Sequence, residues 1–240
     1  MQESEIQELS DRIASMLLSY AAHGLATSTI SGFGEITLRD GSVAAIAASG
    51  ANQNQAWIID REFPPNGWTD SAVDLFVRSQ TSHGNIRLVG GCELKWWRRD
   101  DAGNAANRRR DLVKDFIRAA SLYGQVNDFS FVALLSTDVS WNKTTGTTGS
   151  DSHIMSLLNL SGSQRWNVRK MIASRAMSGS LRYLKGKLPI PNSFHSRLRS
   201  SYSLSFTSGH LAYARVWSVN RVQNSRVLPD ADIETLLRKT

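Results

Sequence analysis

VDLFV (residues 73–77) and CELKWW (residues 92–97) are two apolar stretches that each carry charge in their interior. Short runs rich in valine, phenylalanine and tryptophan are typical of β-strands. The intervening TSHGN (residues 81–85) predicts a turn, so the two stretches are expected to pair as neighbouring strands. Burying a carboxylate in a strand costs free energy unless it is paired or binds a cation, so these two stretches indicate both the central sheet and the candidate site.

Alternate side chains of a strand share one face of the sheet. Glu93 and Lys95 are therefore predicted to point the same way, while the side chains between them point into the core. If the strands are hairpin neighbours, Asp74 reaches the same edge as Glu93. Two carboxylates and an amine would then converge at one place.

The segments on either side predict a mixed sheet covered by helices, the α/β (α+β) class. Helical spacing runs from Glu3 to His23 and again through residues 107–124. Residues 34–50 predict a hairpin around Asp40-Gly41, because Asp-Gly favours tight turns. Short strands are predicted at 56–60, 72–79 and 86–97, and a buried strand at 129–139.

Beyond Trp141 the chain changes character. The Thr/Gly/Ser-rich residues 144–152 predict a loop or hinge between a core, residues 1–141, and an extension, residues 152–240, that packs on it within one structural domain. In the extension, residues 153–160 and 166–177 are predicted to be helical. Residues 201–208 and 210–219 alternate like the two strands of a hairpin.

The charge is distributed very unevenly along the 240 residues. The chain has 28 Lys and Arg against 21 Asp and Glu, yet residues 152–229 contain 12 basic residues and no acidic one. A long segment without carboxylates creates a positive potential, so a polyanion is the expected partner. Nucleic acid is favoured over a membrane because aromatic residues are interleaved with the charges. The alternative is an ordinary charged surface over core aromatics.

Arginine, which forms forked hydrogen bonds to phosphate, outnumbers lysine ten to two in that segment. The residues expected to contact phosphates there are Arg165, Arg169, Lys170, Arg182, Lys185, Lys187, Arg197 and Arg199. Four arginines of the core, which are equally well explained as a solvated charge run, are further candidates: Arg98, Arg99, Arg108 and Arg109.

Two ionised carboxylates at a partly buried sheet edge are costly unless a cation lies between them. Asp and Glu are hard oxygen ligands that suit Mg²⁺ or Mn²⁺. A metal of this kind, with room for water and a phosphate, is suited to hydrolysing a phosphodiester. Lys95 could orient or deprotonate the attacking water, or offset charge that builds on the phosphate.

Asp74 followed by Glu93-Leu94-Lys95, in a helix, strands, helix, strand order, resembles the PD-(D/E)XK nuclease superfamily over roughly Glu3 to Val139. The resemblance implies a restriction-endonuclease-like core with a basic C-terminal elaboration. It also implies that Asp74, Glu93 and the Leu94 carbonyl bind the metal and that Lys95 is catalytic. Members often add an acid from the first helix, for which Glu5 and Glu8 are the candidates. Val73 stands where the superfamily's nominal proline would be.

The expected activity is a Mg²⁺- or Mn²⁺-dependent DNA endonuclease that works as a homodimer, with a role in bacterial or phage defence suggested by the resemblance. Two alternatives stay open, namely a non-catalytic nucleic-acid-binding protein whose Asp74, Glu93 and Lys95 form structural ion pairs, and an RNA-directed nuclease. Asp111, Asp115 and Arg118 share a helix face that would either line the site or lie in solvent.

Localisation and metal type follow from simpler observations. Cys92 is the only cysteine, which favours a reducing, cytoplasmic setting, and five scattered histidines make zinc improbable. No apolar run approaches the roughly 20 residues that span a bilayer, and the N-terminus is too acidic for a secretory signal. A soluble protein that does not contact membranes is therefore expected.

Overall fold

The computed structural model describes residues 1–27, 34–52, 56–80, 84–97, 104–126, 128–205, 211–222 and 225–239. The helices are α1 (Glu3–Ala26), α2 (Glu35–Asn52), α3 (Ala105–Leu122), α4 (Asp138–Thr145), α5 (Ser152–Leu157), α6 (Arg175–Leu184) and α7 (Asp230–Leu237). The strands are β1 (Trp57–Phe63), β2 (Val73–Gln80), β3 (Ile86–Trp97), β4 (Phe129–Thr137), β5 (Ser163–Asn167), β6 (Ser193–Ser205) and β7 (Leu211–Arg221).

The seven strands of the described chain form one mixed sheet in the order β1-β2-β3-β4-β7-β6-β5. Strands β1, β2 and β3 form an antiparallel meander, α3 crosses over, and β4 returns parallel to β3. The remaining pairings are antiparallel. The predicted α/β (α+β) class, with a mixed central sheet flanked by helices, is confirmed.

Helices cover both faces of this sheet. On the α1 face, Leu9 and Ile13 of α1 pack with α2 and with side chains such as Phe131 of β4. On the α3 face, Leu112 and Phe116 of α3 pack with Trp217 and with side chains from α4 to α7. The central strands β4 and β7 contribute alternate residues to the two cores, as the pleat requires.

Strand β7 pairs with most of β4, on the side away from β3, from Phe131 opposite Ser218 to Thr137 opposite Ala212. The strands before and after the predicted hinge at residues 144–152 therefore belong to one continuous sheet. The extension supplies three of the seven strands, and β6 and β7 are antiparallel neighbours, as the alternation in residues 201–219 predicts.

The predicted hairpin around Asp40-Gly41 is wrong, because these residues lie within helix α2. Leu38, Ser42, Ala45 and Ser49 are all buried, at the spacing of one helix face. A Cβ atom on Gly41 would lie 2.6 Å from Cε2 of Tyr20, so this glycine permits close packing of α2 on α1. The small buried residues hid the helical pattern.

The predicted helix over residues 166–177 is also largely wrong. Trp166 lies in strand β5, where it pairs with Phe194 of β6, and α6 begins only after Ser174, whose hydroxyl accepts the Met177 N–H at 3.1 Å. The Trp166 ring is buried between strand and helix, 5.0 Å from the Phe116 ring. Tertiary packing outweighs the local helical spacing here.

None of the helices in the described residues has both the length and the apolarity needed to cross a membrane.

Candidate active site

Strands β2 and β3 bring the two predicted carboxylates together. Leu75 lies opposite Cys92 in the antiparallel register, so the next step along the pair places Asp74 beside Glu93 on the same face. Asp74 Oδ2 accepts the backbone N–H of Leu94 at 2.7 Å. This hydrogen bond fixes the carboxylate of β2 against the backbone that links Glu93 to Lys95.

The alternation predicted for β3 is confirmed. Cys92, Leu94 and Trp96 belong to the core on the α1 face. Glu93 and Lys95 instead reach side chains of α3. The charges therefore lie beneath α3 rather than in the core below α1.

Glu93 is almost completely enclosed, with only 1% of its surface exposed. Neither of its carboxylate oxygens accepts a hydrogen bond, although Arg118 Nη1 lies 3.0 Å from Oε2. The contact with Arg118 is therefore a close charge pair without hydrogen-bond alignment. Two buried acceptor oxygens without a donor are unusual in a folded protein, and they leave Glu93 free to bind a proton or a cation.

Helix α3 supplies the other half of the site. Asp115 is buried, and its Oδ1 lies 3.4 Å from Arg118 Nη1, one helical turn away. Lys95 Nζ lies 3.4 Å from Asp115 Oδ2. Asp74, Glu93, Lys95, Asp115 and Arg118 therefore form one contiguous group, called the β2–β3 cluster below.

The N-terminal part of α2 also reaches this cluster. Glu35 Oε1 lies 3.3 Å from Lys95 Nζ. Arg39 lies 3.5 Å from Asp74 Oδ1 through Nη2 and 2.8 Å from Glu62 Oε1 through Nη1. Both α2 residues were missed in the sequence analysis because their segment resembled a hairpin. The available signal was the helical spacing of Leu38, Ser42, Ala45 and Ser49, at intervals of three and four.

Enclosure shifts the protonation of both predicted metal ligands. Burial raises the pKa of Asp74 above its usual range, against the Leu94 N–H, which lowers it. Burial also raises the pKa of Glu93 well above its usual range; Arg118 opposes this, and the nearby Asp74 and Asp115 carboxylates add to it. Carboxyls that are crowded together and desolvated favour the protonated form.

The pKa of Lys95 moves in the opposite sense to that of a general base. The Asp115 carboxylate raises the pKa of this amine far above its usual range, although burial lowers it. Lys95 is therefore a fixed ammonium at neutral pH. Of the roles proposed from sequence, stabilising negative charge on a phosphate fits this state, whereas deprotonating water does not.

The raised pKa of Glu93 predicts a pH-dependent stability of the metal-free protein. The folded state holds a proton above pH 4.5, the ordinary value, where the unfolded chain has lost it. This contribution is fully present below pH 4.5 and is lost as the pH rises through the folded pKa. Urea unfolding in chelator should show stability falling over this range less steeply in Glu93→Gln than in the wild type; equal slopes would contradict the prediction.

The cluster suits a hard cation in chemistry, although no group of three or more His, Cys, Asp or Glu side chains within the described ranges has metal-site geometry. Asp74 and Glu93 are adjacent, and the Glu93 oxygens accept no hydrogen bond. Mg²⁺ commonly uses one or two protein carboxylates and retains several waters, so two acids suffice. Asp74, Glu93 and the Leu94 carbonyl are the residues that would hold it.

The first-helix acids do not join this group. Helix α1 packs on the opposite face of the sheet, where Glu5 accepts the Gln2 N–H at 2.6 Å and Glu8 pairs with Arg12 at 2.5 Å. Acids from α2 and α3, Glu35 and Asp115, contact Lys95 instead.

The predicted phosphate contacts fall into several environments. Arg98 and Arg99 lie outside the described residues, and Arg108 is buried. Five of the remaining predicted residues form ion pairs with carboxylates: Arg109 with Asp151, Arg169 with Asp232, Lys185 with Glu234, and both Arg197 and Arg199 with Glu3. The other four have no such pair in the described structure: Arg165, Lys170, Arg182 and Lys187.

Two grooves are lined by several of these arginines. One, of about 780 Å³, is lined by Arg109, Arg175 and Arg182, and the other, of about 540 Å³, by Arg165, Arg169 and Arg226. At some positions, the basic side chains of the acid-free segment form ion pairs with carboxylates of α1 and α7. At other positions it presents arginines to solvent.

No protein-family model matches this chain, and neither the curated proteins nor the solved structures contain a match. The β2–β3 cluster and the distribution of charge are therefore the features from which a function is inferred.

Proposed function

We propose that the protein is a metal-dependent endonuclease of the PD-(D/E)XK type that hydrolyses phosphodiester bonds of DNA. The observation that carries this proposal is the adjacency of Asp74 and Glu93 on paired strands, with Lys95 two residues further along the same face. The β1–β2–β3 meander, the α3 crossover and the parallel β4 also follow the order that the sequence resemblance implies. As in many duplex-cutting enzymes, a homodimer would match the symmetry of the two DNA strands.

In this proposal each side chain has a distinct task. A bound Mg²⁺ or Mn²⁺ would supply Lewis-acid polarisation of the phosphoryl oxygens and ionise a water at neutral pH. Asp74, held by the Leu94 N–H, and Glu93 present their oxygens on one face. Lys95 places a permanent positive charge where negative charge develops on the phosphate. Arg118, with Nη1 3.0 Å from Glu93 Oε2, favours the ionised form of Glu93 that a metal would need.

A second candidate is a nucleic-acid-binding protein without catalysis. Three cations, Arg39, Lys95 and Arg118, approach the three carboxylates Asp74, Glu93 and Asp115 within 4 Å. A balanced network of this kind can serve only to hold α3 on the sheet. The basic grooves would then carry the function.

Cleavage by the wild-type protein separates these candidates. Supercoiled plasmid, linear duplex and labelled single-stranded RNA are incubated with the protein in Mg²⁺, in Mn²⁺ and in chelator. We expect nicked or linear DNA with either metal and intact DNA in chelator. Binding without cleavage in every metal would favour the second candidate, and cleavage of RNA alone would make the enzyme an RNA-directed nuclease.

The grooves also predict a strong salt dependence of DNA binding. Each phosphate that the protein neutralises makes the slope of log affinity against log salt more negative by about 0.9. Four arginines line the two grooves without an ion pair in the described part of the chain: Arg165, Arg175, Arg182 and Arg226. Roughly four phosphate contacts are therefore expected, which predicts a slope near −4. Fluorescence anisotropy of a labelled duplex in chelator measures it. A flat response would exclude the basic segment as the binding surface.

A further inference from the structure

A buried arginine lies on the same face of the sheet as the β2–β3 cluster. Arg215 of β7 has only 7% of its surface exposed. Its guanidinium carbon lies 3.6 Å from the centre of the Trp141 ring and 4.4 Å from that of Tyr213. The stacking orients the side chain, because an arginine plane packs well on aromatic rings.

This guanidinium lacks the partner that a buried charge normally has. No Asp or Glu of the described residues forms an ion pair with Arg215, and Nη1 is buried without a hydrogen-bond acceptor. Burial lowers the pKa of Arg215 to about 10. Elsewhere in the extension, Arg197 and Arg199 reach Glu3. Arg215 therefore retains a charge and an N–H donor that an incoming anion can satisfy.

The register places Arg215 in line with Lys95. Lys95 lies beside Leu134 of β4, and Leu134 lies opposite Arg215 of β7. Two strand spacings separate the two positions, about 10 Å. At roughly 3.4 Å of rise per nucleotide, this span corresponds to about three nucleotides of one strand.

The neighbouring row on the same face is also short of acceptors. Trp97 lies beside Ser136, and Ser136 lies opposite Tyr213. The indole Nε1 of Trp97 and the hydroxyl of Ser136 are buried without hydrogen-bond partners. Two buried donors on this face, Trp97 Nε1 and Arg215 Nη1, therefore lack an acceptor, and an acceptor-only ligand such as a phosphate could satisfy them.

We propose that Arg215 binds a backbone phosphate of the DNA strand a few nucleotides from the one held at Lys95, and so sets the register of the strand on the sheet. This inference rests on the proposed nuclease function for the identity of the ligand. The unpaired guanidinium, its stacking on Trp141 and its alignment with Lys95 support it. Arg215 escaped the sequence analysis as a named contact because alternation alone does not show that a strand arginine is buried.

The test compares Arg215→Gln, which removes the charge, and Arg215→Lys, which keeps the charge but loses the fork, with Arg61→Gln, an exposed arginine of β1, as control. Binding of a labelled duplex is measured in chelator at several salt concentrations. For Arg215→Gln we expect about tenfold weaker binding and a salt slope that is smaller in magnitude by about 0.9, with partial recovery in Arg215→Lys. The control should bind as the wild type does.

A second measurement needs neither DNA nor activity. Millimolar inorganic phosphate, compared with chloride at equal ionic strength, should raise the melting temperature of the wild type and change its tryptophan emission, since the anion would bind beside Trp141. Neither change is expected in Arg215→Gln. Wild-type DNA affinity and slope in Arg215→Gln, or no phosphate effect on the wild type, would overturn the inference. If DNA binding depends on Arg215 but no metal supports cleavage, the nuclease proposal fails and the phosphate contact stands.

Discussion

Replacement of Lys95 by alanine is expected to lower the rate of DNA cleavage by about 10²- to 10³-fold, the range for losing one group that stabilises charge in the transition state. The ammonium is held by Asp115 and Glu35, which keep it protonated and aimed along the face shared with Glu93. Initial rates of plasmid nicking in Mn²⁺ measure the effect. Metal-free DNA affinity should change far less, because one contact among several is lost.

Two variants make this prediction specific. Lys114→Ala removes a lysine of α3 whose side chain has the same exposed fraction as that of Lys95, 18%, but which lies over Tyr183, so its cleavage rate should stay near that of the wild type. Lys95→Arg retains the charge and cannot act as a base, so it should retain part of the activity if the residue stabilises charge. Wild-type rates in Lys95→Ala would remove the lysine from the mechanism.

Replacement of Arg118 by methionine is expected to reduce the free energy of unfolding by about 3–5 kcal/mol in chelator, the usual cost of removing one partner from a buried ion pair. Arg118 lies 3.0 Å from Glu93 Oε2 and 3.4 Å from Asp115 Oδ1, and both acids are 1% exposed. Urea unfolding at pH 7.5 followed by circular dichroism measures the loss.

The double variant Arg118→Met/Glu93→Gln provides the control, since an amide cannot ionise and so has no charge for Arg118 to offset. It should be more stable than Arg118→Met alone, with the difference reporting the coupling between the two residues. Added Mn²⁺ should restore stability to Arg118→Met but not to the double variant, because a ligand that binds only the folded state stabilises it. Loss of less than about 1 kcal/mol in Arg118→Met would show that Glu93 does not depend on this arginine.

The sheet around the cluster was predictable because its strands carry strong local signals. The alternation in residues 92–97 gave the correct faces for Glu93 and Lys95. The turn predicted at residues 81–85, of which 81–83 lie outside the described residues, gave the correct pairing of β3 with β2. The class of fold followed from the order of helices and strands. Asp115 and Arg118 were recognisable as one helix face, although their burial was not, since charged residues at this spacing are more often solvated.

The remaining parts depend on contacts that local pattern does not encode. Helix α2 looks like a hairpin because Asp40-Gly41 is a strong turn signal, and only its packing on Tyr20 explains the glycine. The contribution of Glu35 and Arg39 to the site was lost with that helix. Likewise, pairing of Arg197 and Arg199 with Glu3 joins residues almost 200 positions apart, which no count of charges within residues 152–229 could reveal.

The pairing of β4 with β7 affects how the chain can fold while it is being synthesised. Every residue of β4 from Phe129 to Leu135 is buried, and one side of this strand stays open until β7 emerges some 75 residues later. At ~5–20 residues per second, translation leaves that apolar edge unprotected for roughly 4–15 s. During this interval the nascent protein is most exposed to aggregation, and a holdase chaperone would have its clearest target there.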